Sequence, residues 1–438
     1  MRIIRRILVC GAALLCLSGF VLANGFNLNG LGSRAVAMGG AFVGLADDFS
    51  AVYWNPAGIA FFKEKTVGLY GFDVVPKQTY TLSLGNAGLV DAETESKHYL
   101  GGLATYIHPV NENLVVGIGI FTPSGLGAEW NGVDFALLSG GNATLDWRSQ
   151  VGVVSFSPVL AYKINDKIAV GVSLNINYGM FDLAKWAGAK AQDIPIPPYS
   201  LLLDLGQEDV SMKGWGYGAG IGVLVKPSDT FSAGLSIKTP YTVKLNGDAE
   251  ISGFTGLGLN ATSEIDADLT FPLWVAGGIA AKPIEGLTLS ADLQWTQWSK
   301  VDVVKLNFTD PVWTNLLGES GDDEIPFRWK DAMQIRIGAE YMLPNGLAIR
   351  GGYYNDPSPT PDKTMNVLLP SYDFNAITLG VGYGVNGLRF DAGVEFLMAK
   401  ERDIDLTKTL IDPEWDSAVP GIYNMNIIVP ALSLSYSF

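Results

Sequence analysis

The sequence is short of cysteine, of histidine and of long apolar runs, and each shortage closes off a class of protein. Its two cysteines, Cys10 and Cys16, both fall within the first 16 residues. That segment opens with Arg2, Arg5 and Arg6, runs apolar from Ile7 to Leu22 and reaches Ala23. A basic start, a short apolar stretch and a small residue read as a secretory signal peptide over 1–23, cut before Asn24. The apolar stretch is short for a signal anchor, and neither cysteine follows a small residue as a lipoprotein cut requires. Processing leaves a chain without cysteine, which needs no disulfide and has no thiolate for a metal. Beyond the signal, nothing approaches the roughly 20 consecutive apolar residues of a membrane helix. The only histidines are His98 and His108. No serine or acidic residue stands in a recognisable catalytic arrangement with either, so a hydrolase is a remote reading. Basic residues are also scarce: setting aside the three in the signal, 26 face 44 acidic residues, a net −18. That balance disfavours nucleic acid as a partner. No cofactor or metal site is defensible.

What the chain does have is hydrophobicity without helical runs: 48% of its residues are hydrophobic and its mean hydropathy is +0.22. Period two accounts for it. From Val170 to Tyr178, Val170, Val172, Leu174, Ile176 and Tyr178 alternate with Gly171, Ser173, Asn175 and Asn177. Leu287–Thr296 and Leu388–Phe396 repeat the pattern. Such alternation marks strands. In lipid an open sheet edge leaves backbone groups unpaired, so the strands must close into a barrel, apolar side out.

Turn chemistry sets the count. Short turns rich in Pro, Gly, Asn or Asp occur at His108–Asn113, Ile164–Asp166, Pro227–Asp229, Pro283–Gly286, Pro344–Gly346 and Asn386–Gly387. Longer segments alternate with them, around 123–143, 185–212, 253–262, 309–328, 356–371 and 402–423. Short turns at one end and long loops at the other are the outer-membrane pattern. The expected fold is all-β, a transmembrane antiparallel barrel over 63–438 with about 14 strands. Trp295, Trp298, Trp329 and Tyr383 fall near strand ends, where interfacial aromatic belts are expected. Leu432, Leu434, Tyr436 and Phe438 alternate with serines at the C-terminus. This resembles the terminal strand by which barrels are presented to the assembly machinery, and a plain lipid-facing strand would read the same way.

Residues 24–62 do not alternate. They are rich in Gly and Ala, with Asp47-Asp48 ahead of a short helical stretch and Asn55-Pro56-Ala57 behind it. Small residues permit close packing, which favours a plug in the lumen over a periplasmic domain. Gly25-Phe26-Asn27-Leu28-Asn29, Gly39-Gly40-Ala41, Ala46-Asp47-Asp48 and Asn55-Pro56-Ala57, in that order, resemble the N-terminal hatch of the FadL/TodX family. These are outer-membrane transporters of long-chain fatty acids and hydrocarbons. Gly214-Trp215-Gly216-Tyr217-Gly218 resembles the start of the family's sixth strand, Trp329-Lys330-Asp331-Ala332 the start of its tenth, and Pro357-Ser358-Pro359 its sixth long loop.

The resemblance implies a monomeric 14-stranded barrel blocked by the hatch. Ligand is captured among the outer loops, the hatch rearranges, and a kink in the third strand opens sideways into outer-membrane lipid. Here the third strand is expected over Leu114–Phe121, meeting Pro123-Ser124-Gly125, where proline removes a ladder donor and glycine weakens pairing. An ordinary strand end at a loop is the alternative. Apolar ligand-binding candidates are Phe135, Leu137 and Leu138 in one loop, and Leu201, Leu202 and Leu203 in the next. These residues equally suit packing of the loops on themselves. For a ligand carboxylate the resemblance points to Lys185, beside Trp186. The second basic position of the family is Ile325 here, and Arg328 is the nearest cation. An uncharged hydrocarbon fits that departure. Inward-facing Arg336, Glu340, Arg350, Arg389, Asp391 and Glu395 read as ion pairs that hold the plug. A general diffusion porin and a surface-binding barrel are the rival functions; the hatch-like segment argues against the first.

Overall fold

A computed structural model of the chain describes residues 25–139, 141–187, 205–415 and 417–438. The expected signal peptide and Leu201, Leu202 and Leu203 lie outside the described residues.

Fourteen antiparallel strands form the barrel. They are β1 (Thr66–Ser83), β2 (Tyr99–Pro109), β3 (Leu114–Trp130), β4 (Trp147–Asn165), β5 (Ile168–Trp186) and β6 (Gln207–Ser228). Two interrupted strands follow: β7 (Phe231–Lys238 and Tyr241–Ile251) and β8 (Thr262–Phe271 and Trp274–Ile284). The rest are β9 (Leu287–Thr296), β10 (Ala332–Met342), β11 (Leu347–Asp356), β12 (Phe374–Val385), β13 (Leu388–Ala399) and β14 (Gly421–Ser437). β14 pairs with β1 from Thr66↔Ser437 to Thr81↔Ile422, which closes the sheet. All six expected short turns join consecutive strands at one end. Outward residues such as Leu174, Leu293 and Leu432 are exposed, while Ser173, Asp292 and Ser433 beside them are buried. This is the alternation of a lipid-facing wall around a filled interior.

Two sequence-based boundaries shift. β6 begins at Gln207, so Gly214–Gly218 lies within the strand rather than at its start. Residues Gln207–Lys213 extend the pairing with Trp186–Met180 of β5. Their outward positions Asp209, Ser211 and Lys213 are polar, so this upper part lacks the apolar outer face of the wall below it. The third strand does not stop near Pro123. It continues to Trp130 with a register shift against β4 between Phe121 and Ser124.

The chain from Gly25 to Phe62 lies inside the barrel. Two short helices, α1 (Ser33–Ala37) and α2 (Ala51–Trp54), and a 3-10 turn over Pro56–Phe61 are almost wholly buried. Wall glycines let this backbone approach closely. A Cβ on Gly338 would meet Met38, and one on Gly171 would meet the backbone of Pro56 and Ala57.

Candidate functional site

The lumen holds a hatch body, an N-terminal arm and two cavities separated by that arm.

The body is fixed by polar contacts that the sequence places on both partners. Arg34 of α1 donates through Nε and Nη2 to the two carboxylate oxygens of Glu340 on β10, each at 2.8 Å. Its Nη1 pairs with Asp47. Arg350 Nε donates to Glu340 at 2.6 Å, Arg350 Nη2 pairs with Asp391 at 2.8 Å, and Arg389 Nε pairs with Asp391 at 3.1 Å. A bidentate guanidinium–carboxylate contact in a buried setting fixes orientation as well as position. On the other side, the Phe42 and Val43 N–H groups donate to Asp292 at 2.8 Å.

Asn55, Pro56 and Ala57 belong to this body. Asn55 is fully buried, and its Nδ2 donates to Val43 O at 3.0 Å and to Val223 O of β6 at 3.1 Å. Its Oδ1 accepts from Ala57 N at 3.1 Å, which caps the 3-10 turn that Pro56 begins. Asparagine serves because one side chain supplies both donor and acceptor, and proline suits the first position because it has no N–H to leave unpaired.

The arm, residues 25–30, runs to the kink in β3. Ladder pairing of β2 with β3 ends at Leu103↔Phe121; beyond it Gly102 reaches β3 only through the Thr122 hydroxyl, and the chain ahead of β2 meets β3 again at Thr94↔Trp130 and through Glu95 N to Glu129 O. Between these points the wall has a window. Its β3 edge is taken by the arm: Leu28 N donates to Pro123 O at 3.0 Å, and Gly125 N donates to Phe26 O at 2.9 Å. Asn27 and Ser124 form the bridge between those two bonds. Phe26 is anchored in an aromatic cage, 4.6 Å from Trp329, 5.4 Å from Phe327 and 6.0 Å from Trp298 between ring centroids.

The larger cavity, about 380 Å³, lies behind the window. Tyr70, Phe72, Val153, Phe374, Leu397 and Met425 are among its apolar lining. Thr122, Ser124 and Gly125 border it, as do Leu100 and Val154, which are 79% and 38% exposed on the outer face. The cavity therefore reaches from the arm to the lipid side of the wall. Its size and apolar lining suit a small hydrophobic ligand. The smaller cavity, about 60 Å³, has a mixed polar and aromatic lining and lies on the other side of the arm, against β5, β7 and β10.

The remaining sequence candidates lie among the outer loops. Phe135 is fully buried, stacked on Trp147 at 4.9 Å and on Tyr80 at 5.7 Å. Leu138 is buried and Leu137 partly so, so these three pack the loop between β3 and β4. Lys185 Nζ lies 2.6 Å from Glu208 on β6, and Trp186 beside it is buried. Arg328, with φ at 47°, donates from Nη1 to Glu414 O at 3.3 Å and joins two outer loops. Neither cation lines either cavity. Sequence reasoning missed the cavity's apolar lumenal face. Its signal was runs apolar on both faces, such as Val151-Gly152-Val153-Val154 and Ile427-Ile428-Val429.

Comparison with known proteins agrees with this architecture. Residues 14–438 match the family model described as outer membrane protein transport protein (OMPP1/FadL/TodX). Outer membrane protein P1 of Haemophilus influenzae is 22% identical over 412 residues, covering 86% of each chain. The crystal structure of a Pseudomonas aeruginosa FadL homologue superposes with a TM-score of 0.76 at 17% identity, covering 95% of this chain and 100% of that one. The Ralstonia pickettii toluene transporter TbuX superposes at 0.69 with 20% identity, covering 94% and 99%. The chain belongs to the OMPP1/FadL/TodX family of outer-membrane β-barrel channels for hydrophobic compounds.

Proposed function

We propose that this barrel, working as a monomer after insertion by the assembly machinery, carries a long-chain fatty acid or a hydrocarbon from the outer loops into the large cavity and releases it sideways through the β2–β3 window. The observation that carries the reading is the apolar cavity of about 380 Å³, bordered at once by Leu397 inside, by the kink at Ser124 and Gly125, and by exposed Leu100 outside. A ligand taking this route never crosses the hatch body. Each buried methylene contributes roughly 0.8 kcal/mol, so an apolar chain supplies its own affinity. The arm's hold on Pro123 and Gly125 is two backbone hydrogen bonds, worth about 1 kcal/mol each. The Phe26 cage and the Arg336 bond to Asn29 O add to that hold, and release of the arm would join the cavity to the rest of the lumen. The likeness to the toluene transporter TbuX supports a hydrophobic cargo.

Uptake of labelled oleate and labelled toluene by a strain lacking its own transporters tests this. The intact protein is expected to speed at least one of them without admitting small polar solutes. Correct insertion with no gain for either would overturn the reading. Rapid passage of polar solutes would favour a porin.

A further inference from the structure

We infer that Lys238 and Arg336 form a subsite for the carboxylate head of an amphipathic acid whose apolar chain lies in the large cavity. The inference rests on the transport reading and narrows its cargo to acids.

Lys238 is the last residue before the first interruption of β7, and it points inward. Its Nζ stands 3.3 Å from the centroid of Tyr53 on α2 and 4.5 Å from that of Trp274 on β8. Among the described residues it makes no ion pair. Arg336 of β10 makes none either: its guanidinium donates to Gln334 Oε1 at 2.8 Å, Asn29 O at 2.8 Å and Gly39 O at 3.1 Å, all neutral oxygens. Two lumenal carboxylates, Asp292 and Glu395, act on Arg336 only through space and bond to other groups. Asp292 accepts from the hatch backbone, and Glu395 accepts from the Tyr354 hydroxyl at 2.5 Å. Both cations line the small cavity, whose other polar lining is Ser, Thr, Asn and Gln with no Asp or Glu.

That composition is unusual in a chain with 44 acidic and 29 basic residues. Elsewhere in this lumen each arginine of the Arg34, Arg350 and Arg389 network meets a carboxylate. Aromatic faces offset only part of the cost of burying an ammonium. An arriving carboxylate would supply the missing charge and accept from the hydroxyls and amides around it.

Position completes the case. Asn27, Leu28, Asn29 and Ser124 line both cavities. The arm is thus the partition between an apolar chamber open toward lipid and a small cationic one. With the arm lifted, one molecule can place its chain in the first and its head in the second. Lys185 and Arg328, the cations to which sequence resemblance pointed, border neither chamber. The competing role for Lys238 is a clamp between Tyr53 and the wall.

The test uses the purified full-length barrel in detergent, with tryptophan quenching by 9,10-dibromostearate and by its methyl ester; Trp54 and Trp274 report from the small cavity's lining. Wild type is expected to bind the acid about tenfold more tightly than the ester, as a charged hydrogen-bond partner warrants. K238M should bring the acid down to the ester, and K238R should keep the preference. A clamp would instead weaken both ligands equally. Equal binding of acid and ester by wild type, or a preference that survives K238M, would overturn the subsite. Should K238M not insert, the wild-type ratio and K238Q decide alike. Equal binding with uptake intact removes the subsite and leaves the transport reading standing. Binding of neither ligand removes both.

Discussion

Arg34 and Glu340 face each other across the boundary between hatch and barrel, with Nε and Nη2 each 2.8 Å from a carboxylate oxygen. Both residues are buried, and Glu340 also receives Arg350. Removing one partner of a buried pair costs about 3–5 kcal/mol when it strands a charge; here Arg350 still partners Glu340, so the loss falls below that range. Arg34→Ala should therefore lower the thermal unfolding midpoint and raise leakage of small polar solutes through a loosened hatch. Measured leakage and midpoint equal to wild type would show that the Arg34 pair is dispensable and that the body is held by packing and by its bonds to Asp292 and Val223.

Backbone fit makes a second prediction. Gly39 has φ at 65°, and a Cβ there would lie 2.6 Å from Ile337 O on β10. Gly39→Ala should cost about 1–3 kcal/mol, from the strained backbone and the clash. Gly71→Ala is the control: a Cβ at that position has nothing within 4 Å. Unfolding of both variants in urea should separate them clearly.

Lys185 offers a third. Its ammonium is 2.6 Å from Glu208, whose side chain is only 3% exposed. K185M should destabilise the barrel by leaving that carboxylate buried without its cation, and E208Q added to it should recover most of the loss. A K185M variant that keeps its stability while losing oleate uptake alone would return Lys185 to the ligand.

Most of the frame was legible. Hairpin turns such as Asn386-Gly387 and alternation such as Val170–Tyr178 are local signals, and closure follows from the need to pair every edge in lipid. The ion-pair network was also visible, because Glu340, Arg350, Arg389 and Asp391 occupy polar positions inside apolar strands; Arg336 and Glu395, expected in it, instead meet neutral groups, Gln334 and the Tyr354 hydroxyl. What sequence could not give was anything set by register across strands. Pro123 reads as a strand end because its missing donor breaks the ladder with β2; only the continued pairing with β4 shows a window instead. The arm that fills this window comes from about a hundred residues earlier in the chain. Phe135 read equally as groove or packing, and its stacking on Trp147 depends on a contact between loop and strand.

Phe26 carries a fourth prediction. Truncating it in its aromatic cage should cost about 3 kcal/mol locally, which favours release of the arm roughly a hundredfold. Hydrogen exchange of Leu28 and Gly125, whose amides hold the arm to β3, should quicken by that order in Phe26→Ala. Amides of α1 should be unchanged, because the body is anchored separately. Equal acceleration in both regions would mean that the hatch opens as one unit.

The central claim is that arm release at the β3 kink admits ligand. Asn27 and Ser124 are a bridge flanked by the bonds from Leu28 and Gly125, the non-hydrogen-bonded kind whose side chains lie closest. Such a pair falls within the Cα range of a disulfide. Both native cysteines lie at 10 and 16, in the expected signal peptide, so a pair placed at 27 and 124 has no competitor. The most direct measurement is ligand uptake by the N27C/S124C protein, oxidised and then reduced in the same cells. The account predicts that oxidation abolishes the gain in uptake and reduction restores it. Undiminished uptake with the disulfide formed would contradict it.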